Sequence, residues 1–363
     1  MILREIGSEY WDGCTIASDM EFTMRPKPLY LDFRVIETLS GRTALEHVVE
    51  ILLGEGKCSA YLPSYCCHTM IEPFLRHGMS ISFYDVTLSK NGVHREININ
   101  TSSDIVLLLD YFGFKDAETE ELALALKAHG KIVIYDATHM LYSKTNLDSY
   151  DYIFGSYRKW IDINCGFLAK KTEFAGGSVM QHDSEGSRFV TLRNDLFHLK
   201  CQYINGANVS KGQFLPKISE AETALEQGYH HMLPDNRSLE ILRTADAQYI
   251  KQKRLHNGNI LAEGINALDD DRVSLLYPRM HIEGIPLFIP VVVKHGLRNK
   301  LRKFLIDNCI YCPVHWPLSD EHPKNSKSQI LFDSELSLVC DQRYDGNDMI
   351  RIVDTIKQFL LMN

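Results

Sequence analysis

The chain has 363 residues, 45% of them hydrophobic and 24% charged, with 39 Lys+Arg against 47 Asp+Glu and a formal net charge of -8. That length allows one or two domains. The composition excludes disordered, collagen-like and coiled-coil classes, and the acidic balance offers no basic field to a nucleic acid or an anionic membrane.

Residues 1–40 show no period and include Pro26-Lys27-Pro28, which reads as an irregular arm. A helical pattern opens at Ser40-Gly41-Arg42-Thr43 and closes at Gly54-Glu55-Gly56. Ser59–Leu62 reads as a strand ended by Pro63, with Ser64 placed to cap a helix running to about Arg76. Further strands are expected at Ile81–Tyr84, Ile105–Leu109, Lys131–Tyr135, Tyr152–Gly155 and Gly166–Ala169, with a helix from Thr119 to Ala128. Ile105–Leu109 is uniformly apolar, as a strand buried on both faces is. Strands alternating with helices predict an α/β domain with a mostly parallel sheet. Residues 183–235 read as helical, followed by one long helix from Asn236 to Leu268. The pattern then restarts as a smaller α+β unit, with strands at Val273–Tyr277, Ile285–Val293 and Leu336–Val339 and helices at Leu297–Asn308 and Asn347–Leu361. The expected division is an arm over 1–40, a large domain over 41–240 and a small domain over 241–363.

The nine cysteines, odd in number and scattered from Cys14 to Cys340, do not form a disulfide framework. Glu5 and Glu9 stand where a signal peptide needs an apolar core, and no run approaches the roughly 18 apolar residues of a membrane span. A cytoplasmic protein is therefore expected.

Ligands of parallel α/β sheets collect at the carboxyl ends of the strands. There the sequence places Pro63–His68, Asp110–Gly113, Asp136–His139 and Ser156–Trp160, four polar or aromatic clusters that should share one rim. Gly41-Arg42-Thr43 opens a helix whose N–H groups and Thr43 hydroxyl make a phosphate cradle. These are the parts that pyridoxal-phosphate chemistry uses. A lysine forms the Schiff base and acts as base, an aspartate keeps the pyridine nitrogen protonated, and a helix start holds the phosphate.

With these residues in view, the chain resembles the fold-type I (aspartate aminotransferase) superfamily, and within it the DegT-like sugar aminotransferases. The resemblance is carried by Ser40–Leu45, Leu62–Tyr65, Ile134–His139 and Ser156–Lys159, and it spans roughly Asp32 to the end. It implies a three-layer large domain and pyridoxal phosphate as cofactor. It implies Lys159 and Asp136 as catalytic residues, with Gly41, Arg42, Thr43, Ser156 and His139 around the cofactor and either Tyr65 or His68 covering its ring. It further implies glutamate or glutamine as amino donor, a nucleotide-linked keto-sugar as carbonyl acceptor, and a homodimer. The chain departs from the family pattern. Only Tyr157 and Arg158 separate the serine from the lysine, His139 replaces the usual glutamine, Cys67 falls where a ring-stacking aromatic is usual, and Asp110 replaces a histidine. Other pyridoxal-phosphate reactions (lyase, decarboxylase, desulfurase) use the same Lys and Asp, and a non-catalytic cofactor-binding protein is the alternative of a different class. His315 is a candidate for the rim from the small domain. Cys309 and Cys312 lack a second pair at metal spacing, and His230-His231 shows no ligand pattern, so no metal site is expected.

Overall fold

A computed structural model describes residues 4–13, 33–174, 184–278, 284–324 and 326–363, the side chains of residues 184 and 185 excepted. Pro26-Lys27-Pro28 and Cys14 lie outside the described residues. The first half of the chain runs β1 (Ile6–Gly7), β2 (Arg34–Thr38), α1 (Gly41–Gly54), β3 (Ser59–Pro63), α2 (His68–Arg76), β4 (Ser80–Ser89), β5 (Gly92–Glu96), β6 (Ile105–Leu109), α3 (Glu118–Ala128), β7 (Ile132–Asp136), β8 (Tyr152–Ser156) and β9 (Gly166–Lys170). The second half runs α4 (Ser184–Ile204), α5 (Lys211–Gly228), α6 (Asn236–Thr244), α7 (Ala247–Ala267), β10 (Val273–Leu275), β11 (Ile289–Val293), α8 (Arg298–Asp307), β12 (Ile310–Tyr311), α9 (Gln329–Ser334), β13 (Glu335–Leu338) and α10 (Gly346–Met362).

Eight strands form the central sheet in the order β2-β9-β8-β7-β6-β3-β4-β5. Its middle, β8-β7-β6-β3-β4, is parallel throughout, and β9, β2 and β5 add antiparallel edges. All five residues of β6 are buried, as its unbroken apolar run predicts. Helices α1, α2 and α3 pack on this sheet. The smaller antiparallel sheet β10-β11-β13 is backed by α7 and α8, and α10 packs on both of those helices. One continuous apolar core joins the two sheets.

Four expectations are corrected. Residues 1–40 are not wholly irregular: β1 pairs in parallel with β12, and β2 pairs with β9 in the large sheet. Ser64 does not cap α2. Its hydroxyl accepts from Val86 N at 3.1 Å and pairs with Ser328 Oγ, and the helix begins after Cys67. The long helix over 236–268 is two helices, because Ala245 is extended and Asp246 starts a new cap, accepting from Gln248 N and Tyr249 N. The strand expected at Ile81–Tyr84 is longer, Ser80–Ser89, and turns at Lys90-Asn91 into a hairpin with β5.

Candidate active site

Strands β3, β6, β7 and β8 run in parallel, so Ser64, Asp110, Asp136 and Ser156 emerge on one rim as expected. Asp136 ends β7, paired with Phe154 of β8, and the chain leaves β8 through Ser156 into a short turn carrying Lys159. The start of α1 meets this turn directly. A Cβ on Gly41 would stand 3.1 Å from Ser156 Cβ, a tight contact that glycine avoids, so the helix end lies directly against the turn. Ser40 caps α1, accepting from Thr43 N at 3.1 Å, and lies 3.0 Å from the Thr43 hydroxyl. The Ser156 hydroxyl is buried and has no hydrogen-bond partner. An unpaired buried hydroxyl beside the open N–H groups of a helix start is what a phosphate would satisfy.

Burial pushes the Asp136 carboxyl up to about 6, against the hydrogen bond it accepts from Thr138 N at 2.8 Å. A cation set against it, such as a protonated ring nitrogen, is the partner this carboxylate lacks. His139 is buried, and burial followed by the charge of Lys159 holds its ring at about 3, hence neutral. Its Nδ1 accepts from Phe112 N at 3.0 Å, which leaves Nε2 as the ring's donor. Trp316 stacks on the His139 ring with centroids 5.6 Å apart. His315 lies edge-on to both rings, and burial with His139 and Lys159 keeps it well below the ordinary histidine value. His315, the rim candidate from the small domain, thus packs against His139 and Trp316.

Lys159 opens onto a cavity of about 360 Å³, but the protein crowds it, and burial with the neighbouring Arg158 charge lowers its pKa. Its backbone carbonyl accepts from the Tyr10 hydroxyl at 3.2 Å. Around the same cavity stand Arg158, paired with Glu222 at 2.9 Å, Arg193, paired with Glu9 at 2.7 Å, and Arg343, paired with Asp341 at 2.7 Å. Arg302 completes a set of five cations with Lys159 against those three carboxylates.

The remaining candidates face elsewhere. The Arg42 guanidinium lies over the Tyr229 ring and 3.8 Å from Glu72, pointing along α1 rather than at Ser156. Tyr65 is fully buried, ringed by Tyr111, Trp316 and Phe332, with its hydroxyl donating to the His315 carbonyl. The His68 ring sits 3.2 Å from Glu321. Asp110 is tied up with Arg95 and the Thr119 and Tyr135 hydroxyls, a structural network. Arg193, Glu222, Arg302 and Arg343 were missed because none follows a strand of the large sheet, and Trp316 because no local pattern marks it.

No family model and no curated protein sequence matches this chain. Solved structures do. TlmJ, an aminotransferase from Streptoalloteichus hindustanus, is similar with a TM-score of 0.61 and 13% identity, over 90% of this chain and 86% of that one. Spr1654 from Streptococcus pneumoniae, assigned as a sugar aminotransferase and solved in its PLP form, gives 0.61 and 12% over 89% and 86%. DesI, solved in the presence of its TDP-sugar product, gives 0.57 and 13% over 90% and 80%. At such identities the likeness is one of fold: this chain is built on the architecture those aminotransferases use.

Proposed function

We propose that the protein is a pyridoxal-phosphate aminotransferase that moves an amino group from glutamate or glutamine to a nucleotide-linked keto-sugar. One observation carries the reading. Asp136 and Ser156 end neighbouring parallel strands at the carboxyl rim, Lys159 follows in the turn after Ser156, and the unpaired Ser156 hydroxyl lies against the start of α1. When bound, pyridoxal phosphate would supply an aldehyde that accepts nitrogen and a ring that draws off the electrons left at the substrate α-carbon.

Each role falls to a residue of this chain. Ser156 Oγ, the N–H groups at Gly41 and Arg42 and the Thr43 end of the cap would hold the phosphate. Asp136 would keep the ring nitrogen protonated, its buried carboxyl gaining the cation it lacks. The His139 Nε2–H would donate to the ring's phenolic oxygen, and the Nδ1 contact to Phe112 N fixes that tautomer. Lys159 Nζ would anchor the aldehyde, then carry a proton between the substrate α-carbon and the carbon bearing nitrogen. Its lowered pKa supports this work, since the uncharged amine is the working form. The cavity's excess of cations favours an anionic substrate, a carboxylate in one half-reaction and a phosphate-linked sugar in the other. The sugar assignment draws on DesI, solved with its TDP-sugar product, and on Spr1654, assigned as a sugar aminotransferase.

We further read 41–240 as the cofactor-binding unit and 241–363 as the smaller unit that closes the cavity. We expect a homodimer in the cytoplasm. No helix among the described residues is long and apolar enough to cross a membrane, and the eight described cysteines are unpaired.

The test is the absorbance spectrum of purified protein before and after glutamate. A yellow protein that bleaches, and a Lys159→Ala variant that no longer forms the yellow species, support the reading. A yellow protein indifferent to every amino donor points to a lyase, a desulfurase or a cofactor-binding regulator. A protein that stays colourless with added cofactor overturns it.

A further inference from the structure

On the far side of α1 from the lysine turn, histidines and carboxylates gather without an evident task. His47 and Glu50 lie three residues apart on α1, which sets them on one helical face. His231 reaches the same point from the segment that follows α5. Each of the three offers a ligand atom, and those atoms all lie within 4.8 Å of one another. His231 Nε2 stands 3.2 Å from Glu50 Oε1, and the two imidazole rings meet edge to face with centroids 6.3 Å apart.

A second observation marks this as more than a polar patch. His47 is only 3% exposed, yet its Nδ1 has no hydrogen-bond partner. His231 presents its Nε2 to Glu50 across the same point. A buried imidazole nitrogen without a partner is costly, and coordination is one of the few arrangements that satisfies it. Glu46, close by on the same helix, already has a countercharge in Arg76 and contacts His77 at 2.5 Å, while Glu50 lies nearer to His231 (3.2 Å) than to His77 (3.9 Å).

We propose that His47, Glu50 and His231 bind a divalent transition-metal ion of the zinc type. Two nitrogens and one carboxylate oxygen suit zinc, cobalt or nickel, whereas magnesium and calcium prefer oxygen ligands throughout. Three protein ligands leave a fourth position for water. The ion pins α1 to the chain after α5. His47 lies six residues beyond Gly41, about 9 Å along the helix at 1.5 Å per residue. The clamp therefore braces the helix whose start faces Ser156, and it exists whether or not the cofactor reading holds.

The experiment uses the full chain, stripped of metal with a chelator and titrated with zinc chloride by calorimetry, then with cobalt chloride by visible absorption. Expected are one equivalent of zinc per chain and a raised melting temperature, because binding to the folded form alone stabilises it. Cobalt bands should be those of nitrogen and oxygen ligands. His231→Gln and Glu50→Gln, checked for native circular dichroism, should each weaken zinc binding at least about tenfold, no less than the loss of a supporting group does at known metal sites. His231 is only half-buried, so its variant should fold. The proposal is overturned by the absence of saturable one-equivalent binding. It is equally overturned by unchanged affinity in His231→Gln, or by thiolate-to-cobalt charge-transfer bands, which would assign the ion to cysteines.

Discussion

Glu335 begins β13 with no exposed surface, and burial pushes its carboxyl up to about 8 against hydrogen bonds from Ser337 Oγ and His315 N. It therefore holds its proton at neutral pH and still accepts both bonds. His315 Nδ1 lies 2.9 Å from the same Ser337 hydroxyl, so the carboxyl, hydroxyl and imidazole form one chain leading to His139. The pH dependence has a definite sign. A carboxyl raised in the native state keeps a proton that the unfolded chain releases, so its share of stability falls as pH climbs from the ordinary 4.5 to about 8. Glu335→Gln should remove that slope. Urea midpoints for both proteins at the two ends of the window measure it, and the difference between them cancels the opposite slope of the depressed His139 and His315. Identical slopes would mean that Glu335 is ionised in the native protein. Asp136, at about 6, slopes the same way in cofactor-free protein, and bound cofactor should flatten its part by supplying a cation.

At the scale of elements, α1 is what turns a sheet rim into a binding site, and it sits there because two glycines let it. A Cβ on Gly166 would stand 2.3 Å from the Ser40 carbonyl carbon and 2.5 Å from Gly41 N, both backbone atoms that cannot step aside. Gly166→Ala should therefore push β9 off the helix start. We expect a loss of about 1–3 kcal/mol, the usual cost of overpacking, together with weaker cofactor binding. Gly54→Ala, at the other end of α1 with nothing within 4 Å of the added carbon, is the control and should be neutral or slightly stabilising. Chemical denaturation and cofactor titration read the two effects, and a Gly166→Ala protein indistinguishable from wild type would deny the crowding. These elements also explain what was legible in the sequence. The inner strands are short apolar runs, and Ser40, Asp136 and Lys159 each stand at or beside the end of an element, so chain order brought them into view. The α6–α7 break was readable in Asp246, a cap residue inside a helical period, but periodicity over the flanking turns outweighed it. The β5 hairpin turns on Lys90-Asn91 and β5 itself is too polar to announce a strand. Arg193, Glu222 and Arg343 face Lys159 from remote parts of the chain, and His231 meets His47 across 184 positions. No local pattern encodes such meetings.

For the molecule as a whole, the segment from Glu5 to Tyr10 ties the two sheets together across the cavity. Through β1 it pairs with β12, and Gly7 N donates to the Tyr344 hydroxyl at 2.8 Å. Arg343 donates to the carbonyls of Ser8 and Glu9, while Lys200 of α4 reaches the Gly7 and Glu9 carbonyls from the opposite side. Tyr10 then touches the Lys159 carbonyl and receives Arg254 of α7 at 3.0 Å. Two ion pairs hold this strap, Glu5 with Lys211 and Glu9 with Arg193; in the second the arginine side chain is 4% exposed and the carboxylate 29%. Burial alone would raise the Glu9 carboxyl, but Arg193 brings it down to about 2. Its contribution is thus complete above the ordinary value of 4.5 and fades as pH falls toward about 2. A double-mutant cycle with Glu9→Gln and Arg193→Met should give a coupling of about 1–3 kcal/mol near neutral pH, shrinking at acid pH as Glu9 takes up its proton. The single variants should also expose the segment before Tyr10 to protease at temperatures where the rest of the molecule is intact, because the strap is held by few apolar contacts and many polar ones. A coupling near zero, or a segment cut only when the whole chain unfolds, would mean that the main-chain bonds of β1 hold the two sheets together and the ion pair adds nothing.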